Sequence, residues 1–230
     1  MTNSLPGYTS NDDSNVLRIF IIRHGQTDHN VQKILQGHKD TDLNQTGIDQ
    51  SAKLGSFLKE NNTVFDKVIS SDLKRCRQTI ENVLQHSGQE DISVEYYPEL
   101  RERHMGVIEG MYLKDAEVYA DKHGKGSFRD FGEPADEFLE RLTGQIKESA
   151  HHGSLQGKKN MALISHGGSI RTILKWLKYE EQNAHKIIVF NTSVTVIDYI
   201  KDSNQFIVKS VGNTRHLGDG EFVVSDLRLR

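Results

Sequence analysis

Two apolar runs in this sequence are each followed closely by a histidine. The residues around those histidines are of types that bind an anion and can take part in a reaction on it. Residues 19–22 are followed by Arg23 and His24, and residues 161–164 by Ser165 and then His166. An apolar run bounded by a turn signal is typical of a central strand buried on both faces. Because ligands of open α/β sheets bind at the carboxyl ends of strands, the two imidazoles are predicted to meet around one ligand.

The chemistry that such groups suit is phosphoryl transfer. That reaction needs positive charge around the equatorial phosphoryl oxygens and a nucleophile in line with the leaving group. Arg23 supplies a cation beside His24, and the start of the helix after His166 favours an anion. Arg75 lies in the first turn of a helix that follows the strand at 64–69. Taken alone, Arg75 is equally compatible with a solvated helix position.

The elements that must position these groups alternate between strand and helix. Further strands are predicted over 92–97, 187–190, 194–200 and 206–211. Helices are predicted over 46–59, from an N-cap cluster at 70–72 to about residue 85, over 115–122, from residue 133 onwards, and after residue 167. The last two strands form a hairpin. This alternation, without an internal linker or repeat, predicts one α/β domain.

Composition excludes several classes of function. The 230 residues carry 29 basic and 32 acidic side chains, a net charge of −3, which argues against nucleic acid or an anionic membrane as partner. A single Cys excludes an intramolecular disulfide and favours a reducing compartment. The predicted localisation is cytoplasmic, with access to the nucleus left open. No run approaches the length of a membrane span.

Three segments are distinguished along the chain. Residues 1–15 are polar and are predicted to form a flexible N-terminal tail, so the domain is placed at 16–230. Residues 111–133 are polar and dotted with Gly, a pattern typical of a lid or substrate-selecting insertion.

Four motifs, in order along the chain, resemble those of the histidine phosphatase superfamily, the phosphoglycerate mutase-like proteins. They are Arg23-His24-Gly25-Gln26-Thr27 with Asn30; Ser71-Asp72-Leu73-Lys74-Arg75 followed by Gln78-Thr79; Leu100-Arg101-Glu102-Arg103 with Gly106 and Gly110; and Ser165-His166-Gly167-Gly168. The resemblance covers the chain from about Leu17 to about Leu217. It implies a single three-layer α/β domain with a mostly parallel central sheet, one antiparallel strand region and helices on both faces.

The resemblance implies a role for each of five catalytic residues. His24 looks like the nucleophile, which forms a phosphohistidine intermediate. Glu102 is similar to the general acid that protonates the leaving oxygen and then deprotonates the attacking water. Arg23 and Arg75 resemble bidentate phosphate clamps. His166 resembles the second imidazole on the phosphoryl oxygens, acting through a nitrogen that carries a proton.

Substrate contacts are implied for five further residues, which are Asn30, Gln36, Gly37, Arg103 and Gly167. No cofactor and no metal is implied, because Arg and His supply the positive charge and the sequence lacks a carboxylate cluster that would hold magnesium. The expected partner is a small phosphorylated metabolite. A homodimer formed through the C-terminal hairpin or tail stays open.

Three functions share these residues. Hydrolysis of phosphomonoesters is favoured over phosphoglycerate mutase activity, because mutases of this family carry adjacent arginines in a longer insertion and residues 111–133 contain only Arg129. A non-catalytic module that binds a phosphorylated ligand is the third alternative. It is disfavoured because all of the family's catalytic positions are retained.

Overall fold

A six-stranded sheet forms the centre of the protein. The computed structural model describes residues 8–179 and 187–218. The strands, in sheet order, are β3 (Val94–Tyr97), β2 (Lys67–Ser71), β4 (Asn160–Ser165), β1 (Val16–Arg23), β5 (Val194–Ile200) and β6 (Gln205–Asn213). Strands β1 to β4 pair in parallel, and β5 runs antiparallel to both of its neighbours. The mostly parallel sheet with one antiparallel region is therefore confirmed.

Helices cover both faces of the sheet. They are α1 (Asp28–Gln32), α2 (Gln45–Glu60), α3 (Lys74–Ser87), α4 (Leu113–Lys122), α5 (Ala135–Leu155) and α6 (Gly167–Trp176). Side chains of β1 alternate between the faces: Ile19 and Ile21 pack with α5 and α6, whereas Phe20 and Ile22 pack with α2 and α3. Each such buried side chain contributes about 1.5–3 kcal/mol to folding, so β1 is held rigidly between two cores.

None of the helices in the described ranges is long and apolar enough to cross a membrane.

Two expected elements are corrected by the structure. The expected strand over 187–190 is not formed. The segment is irregular, and its Val189 carbonyl accepts a hydrogen bond from the Arg23 guanidinium. The expected N-cap cluster at 70–72 does not cap α3. Ser71 belongs to β2, and the N-cap is Leu73, without a side-chain hydrogen bond. The polar groups of 70–72 are used in tertiary contacts with Arg101 and His166.

The predicted boundary between tail and domain is wrong for residues 8–15. Tyr8 is fully buried, with its ring centroid 4.7 Å from that of Phe57. Asn11 donates its backbone N–H to Asn160 Oδ1 at 2.7 Å, and its side chain reaches the Val16 carbonyl. These contacts attach the segment to the sheet. The polarity of the segment does not predict them, because they join residues far apart in the chain. Residues 1–7, 180–186 and 219–230 lie outside the described part of the chain, and so do the corresponding parts of the predicted N-terminal and C-terminal tails.

The insertion at 111–133 folds on a small core of its own. It contains α4 and a 3₁₀ turn at Phe128–Asp130, and it packs through a cluster formed by Leu35, Ile108, Leu113, Ala116 and Phe128. A bridge between Ile34 and Tyr112 ties it to the loop after α1. The insertion is therefore joined to the loop that borders the site.

Candidate active site

The carboxyl ends of β1, β2 and β4 open into a cleft whose empty volume, including its solvent-filled mouth, is about 570 Å³. Among the residues that line it are all five predicted catalytic residues, namely Arg23, His24, Arg75, Glu102 and His166. The two imidazole centroids lie 5.3 Å apart. The parallel pairing of β1 with β4 brings them together, because it sets Arg23 opposite Ser165 and so places the following histidines side by side.

His24 presents one ring nitrogen to the cleft. Its Nδ1 lies 2.7 Å from the Gly25 carbonyl oxygen and donates its proton there, so the lone pair is on Nε2. Burial lowers the pKa of His24 well below its usual value, and the charges of Arg75 and Arg23 lower it further. The imidazole is therefore neutral, the form in which it can attack phosphorus.

Gly25 is required by a close approach of the backbone. A Cβ at this position would lie 2.6 Å from the carbonyl oxygen of Gly47 in α2. Only glycine lets α2 pack this tightly beneath His24.

Two buried guanidinium groups supply the positive charge. Arg23 is 5% exposed and Arg75 is 1% exposed. Arg23 donates to the Val189 carbonyl. Arg75 donates to the carbonyls of Lys39 at 2.8 Å and Gly37 at 2.9 Å. The structure thus decides between the two interpretations of Arg75 and places it inside the site.

His166 is oriented by two partners. Its Nδ1 accepts a hydrogen bond from Arg75 Nε at 3.2 Å, and its Nε2 lies 2.9 Å from Ser71 Oγ. Burial, and then the charge of Arg75, lowers its pKa well below the usual value. Both ring nitrogens are engaged within the protein, so His166 here orients the Arg75 guanidinium. Direct donation to a phosphoryl oxygen requires the ring to exchange one of these partners for substrate.

The Glu102 side chain lies against the start of α6. Its Oε2 accepts the Gly168 N–H at 2.7 Å, and its Oε1 accepts the Arg103 N–H at 2.9 Å. The carboxyl group therefore occupies the helix N-terminus that was expected to attract the substrate anion. Helix partial charge and unpaired N–H groups favour any anion at that point, and this chain supplies its own.

Four of the five predicted substrate residues line the cleft: Asn30, Gln36, Gly37 and Gly167. Gly37 has a φ of +50°, and a Cβ there would meet the Glu109 carboxylate. Arg103 is the exception. Its guanidinium donates to the backbone carbonyls of Arg129, Phe131 and Glu133, so it braces the insertion and does not reach the cleft.

Several lining residues were not predicted from the sequence. They are His29, Lys33, Ile34, Leu35, Met105, Gly168 and Arg171. Arg171 lies one helical turn beyond Gly167, so helical spacing from the Ser165-His166-Gly167-Gly168 motif could have identified it. Lys33 could not have been found in this way, because its placement follows from a left-handed backbone, φ +62°, at the end of α1.

Replacing Arg75 by lysine is expected to lower kcat/KM by ~10²–10³, because an ammonium retains the charge but not the fixed fork of donors. Arg77→Lys is the matched control. Arg77 is on the same helix, and its guanidinium stacks on Tyr96 at 3.8 Å, outside the cleft lining. Steady-state kinetics with p-nitrophenyl phosphate measure both. Equal losses in the two variants would contradict the role of Arg75.

Comparison with known proteins agrees with this geometry. The family model of the histidine phosphatase superfamily (branch 1) matches residues 19–213. The chain is 65% identical over 230 residues to the Broad-specificity phosphatase YOR283W of Saccharomyces cerevisiae, covering 100% of both proteins. It is 29% identical over 224 residues to the Metal-independent phosphoserine phosphatase of Arabidopsis thaliana, covering 92% of this chain and 87% of that protein.

Among solved structures, a phosphoglycerate mutase from Bacillus anthracis superposes with a TM-score of 0.79 at 27% identity, covering 89% of this chain and 96% of the other. The likeness confirms the expected architecture. Relatives and family together identify an enzyme of the phosphoric monoester hydrolase class. Because the family model matches residues 19–213 and the chain is 65% identical to the yeast phosphatase, the chain belongs to the histidine phosphatase superfamily.

Proposed function

We propose that the protein hydrolyses phosphomonoesters in two steps through a phosphohistidine at His24. In the first step a bond forms between His24 Nε2 and phosphorus, the ester P–O bond breaks, and the leaving oxygen takes a proton from Glu102. In the second step water attacks phosphorus, the N–P bond breaks, and Glu102 takes a proton from the water.

One observation carries this proposal: a neutral imidazole with its Nε2 lone pair towards a cleft that two buried guanidinium groups and a carboxyl group also line. The Glu102 carboxyl group can give up and regain a proton while its side chain stays in place. A protonated carboxyl retains a lone pair on each oxygen, so the bonds from the Gly168 and Arg103 N–H groups persist in both states.

We also propose that the reaction needs no metal ion. Arg23 and Arg75 place two fixed positive charges at the cleft, which is the electrostatic contribution that a divalent cation makes in other phosphoryl transfer enzymes. The name of the Arabidopsis relative, a metal-independent phosphoserine phosphatase, supports this.

Broad use of small phosphorylated metabolites is the substrate range that we propose. The yeast relative, at 65% identity, is named a broad-specificity phosphatase. The cleft is open to solvent, and it is lined by the buried side chains of Arg23, Arg75 and the two histidines. A wide range of leaving groups fits such a site.

Mutase activity is the second candidate, since the Bacillus anthracis structure is a phosphoglycerate mutase. Arg129, the single arginine of the insertion, stacks on Phe128 at 4.4 Å and does not line the cleft. The insertion therefore offers no arginine to grip a carboxylate at the described site, which favours water as the acceptor.

The experiment that tests the proposal measures products in the presence of EDTA. With 3-phosphoglycerate and a trace of 2,3-bisphosphoglycerate, we expect inorganic phosphate and no 2-phosphoglycerate. Turnover of p-nitrophenyl phosphate is expected to be unchanged by EDTA. Interconversion that outpaces phosphate release would establish the mutase instead, and loss of turnover on chelation would contradict the metal-free mechanism.

A further inference from the structure

A turn next to the end of β1 holds the backbone of the nucleophile. The Thr192 N–H donates to the Arg23 carbonyl at 3.0 Å, and Asn191 Nδ2 donates to the His24 carbonyl at 2.9 Å. Asn191 Nδ2 also lies 3.3 Å from Oδ1 of Asn30, which lines the cleft. This Asn191–Thr192 turn therefore contacts both the nucleophile's main chain and a side chain at the substrate position.

The turn has a backbone conformation that its own sequence disfavours. Thr192 has a φ of +57°, in the left-handed region, which is costly for a β-branched residue and persists only where the surroundings hold it. Thr192 and Asn191 are both buried, at 0% and 4% exposure. Something outside the turn must therefore maintain this conformation.

His216 is placed to do so, although it does not line the cleft. Its Nε2 lies 3.0 Å from Thr192 Oγ1, and its Nδ1 lies 3.0 Å from the Tyr8 hydroxyl. Both ring nitrogens of His216 therefore have a hydroxyl partner. Burial lowers the pKa of His216 to about 4, so the ring is neutral, with one nitrogen as a donor and the other as an acceptor.

We propose that His216 is a positioning residue for the reaction, acting through the Asn191–Thr192 turn on the backbone and ring of His24. The inference rests on the proposed role of His24 as nucleophile. A hydrogen-bonded path thus runs from Tyr8 to His216, to Thr192 and to the Arg23 carbonyl, with Asn191 binding the His24 carbonyl alongside. Through this path Tyr8 and His216, which lie near the two ends of the described chain, fix the direction of His24 Nε2.

Two substitutions of His216 separate positioning from packing. In His216→Gln the side-chain amide nitrogen falls near the position of Nε2 and retains a donor for Thr192. In His216→Asn the amide group reaches only the position of Nδ1, so the contact with Tyr8 is retained and that with Thr192 is lost. Both remove the ring, but we expect kcat to stay close to wild type in His216→Gln and to fall roughly 10- to 100-fold in His216→Asn, with a smaller change in KM.

A second pair keeps the test decisive if His216→Asn does not fold. Thr192→Val is isosteric and removes the hydroxyl, whereas Thr192→Ser retains it. The same loss of kcat is expected in Thr192→Val, and Thr192→Ser is expected to resemble wild type. All variants are assayed with p-nitrophenyl phosphate well below their melting temperatures, since a purely structural contact would lower Tm and leave kcat unchanged.

The proposal is overturned if folded His216→Asn or Thr192→Val has wild-type kcat, or if His216→Gln loses as much as His216→Asn. His24→Ala is run in the same assay. If that variant retains turnover, the nucleophile assignment itself fails. If it is inactive while Thr192→Val is fully active, only the positioning role fails.

Discussion

Replacing His24 by asparagine is expected to lower kcat by a factor of ~10⁴ or more, the scale seen when a covalent nucleophile is removed, while the fold is retained. The asparagine amide nitrogen falls near the position of ring Nδ1, so the hydrogen bond to the Gly25 carbonyl is preserved. Only Nε2, the atom that we propose attacks phosphorus, is lost. Steady-state turnover of p-nitrophenyl phosphate and thermal unfolding measure the two effects separately.

The covalent intermediate provides a direct readout of the same prediction. Wild-type protein quenched at alkaline pH, where a phosphohistidine survives, should carry phosphate on the peptide that contains His24, and His24→Asn should carry none. His86→Asn is the matched control, because His86 Nδ1 also contacts a backbone carbonyl, that of Asn82 in α3, outside the cleft lining. Phosphate trapped on another residue of His24→Asn, His166 for instance, would contradict the assignment.

Replacing Glu102 by glutamine is expected to separate the two chemical steps. For alkyl phosphates, whose leaving oxygen needs a proton, kcat should fall roughly 10²- to 10⁴-fold. For p-nitrophenyl phosphate the leaving group departs as a stable anion, so formation of the phosphohistidine should be largely spared. Activation of water still requires the carboxylate, and hydrolysis of the intermediate should become limiting.

The expected signature is a burst of nitrophenolate equal to the enzyme concentration, followed by slow turnover and accumulation of phosphohistidine. Glu109→Gln is the matched control. The Glu109 carboxyl group also accepts two backbone N–H groups, from His38 and Met105, both of them on Oε1, but it does not line the cleft. In Glu109→Gln the dependence of kcat on the leaving group should match that of wild type. Equal loss for both kinds of substrate in Glu102→Gln, without a burst, would argue against proton transfer by this residue.

Local pattern was sufficient for the parts of the site that lie at strand ends. The runs at 19–22 and 161–164 predicted β1 and β4, and both histidines follow these strands directly. The prediction succeeded because hydrophobic periodicity reports burial over a few residues, and a residue that follows a buried strand has little freedom in where it lies.

Sequence pattern was less informative for side chains whose partners are distant in the chain. Arg75 was left open between solvent and site, and its burial follows from carbonyls of the loop at Gly37 and Lys39. Arg103 was expected at the substrate, but the folded insertion supplies three carbonyls that bind its guanidinium. A flexible cationic side chain goes where acceptors are, and those acceptors are set by the fold.

The sequence by itself determined the class of chemistry, the α/β alternation and the identity of the groups at the ends of β1 and β4, because these depend on residue type and short-range spacing. Only the tertiary structure decided that the Glu102 carboxyl occupies the N-terminus of α6, that His166 turns towards Arg75, and that Tyr8 and His216 are linked through Thr192 to the backbone at His24. Each of these is a hydrogen bond between groups far apart in the chain, and its geometry is fixed only when both cores are packed.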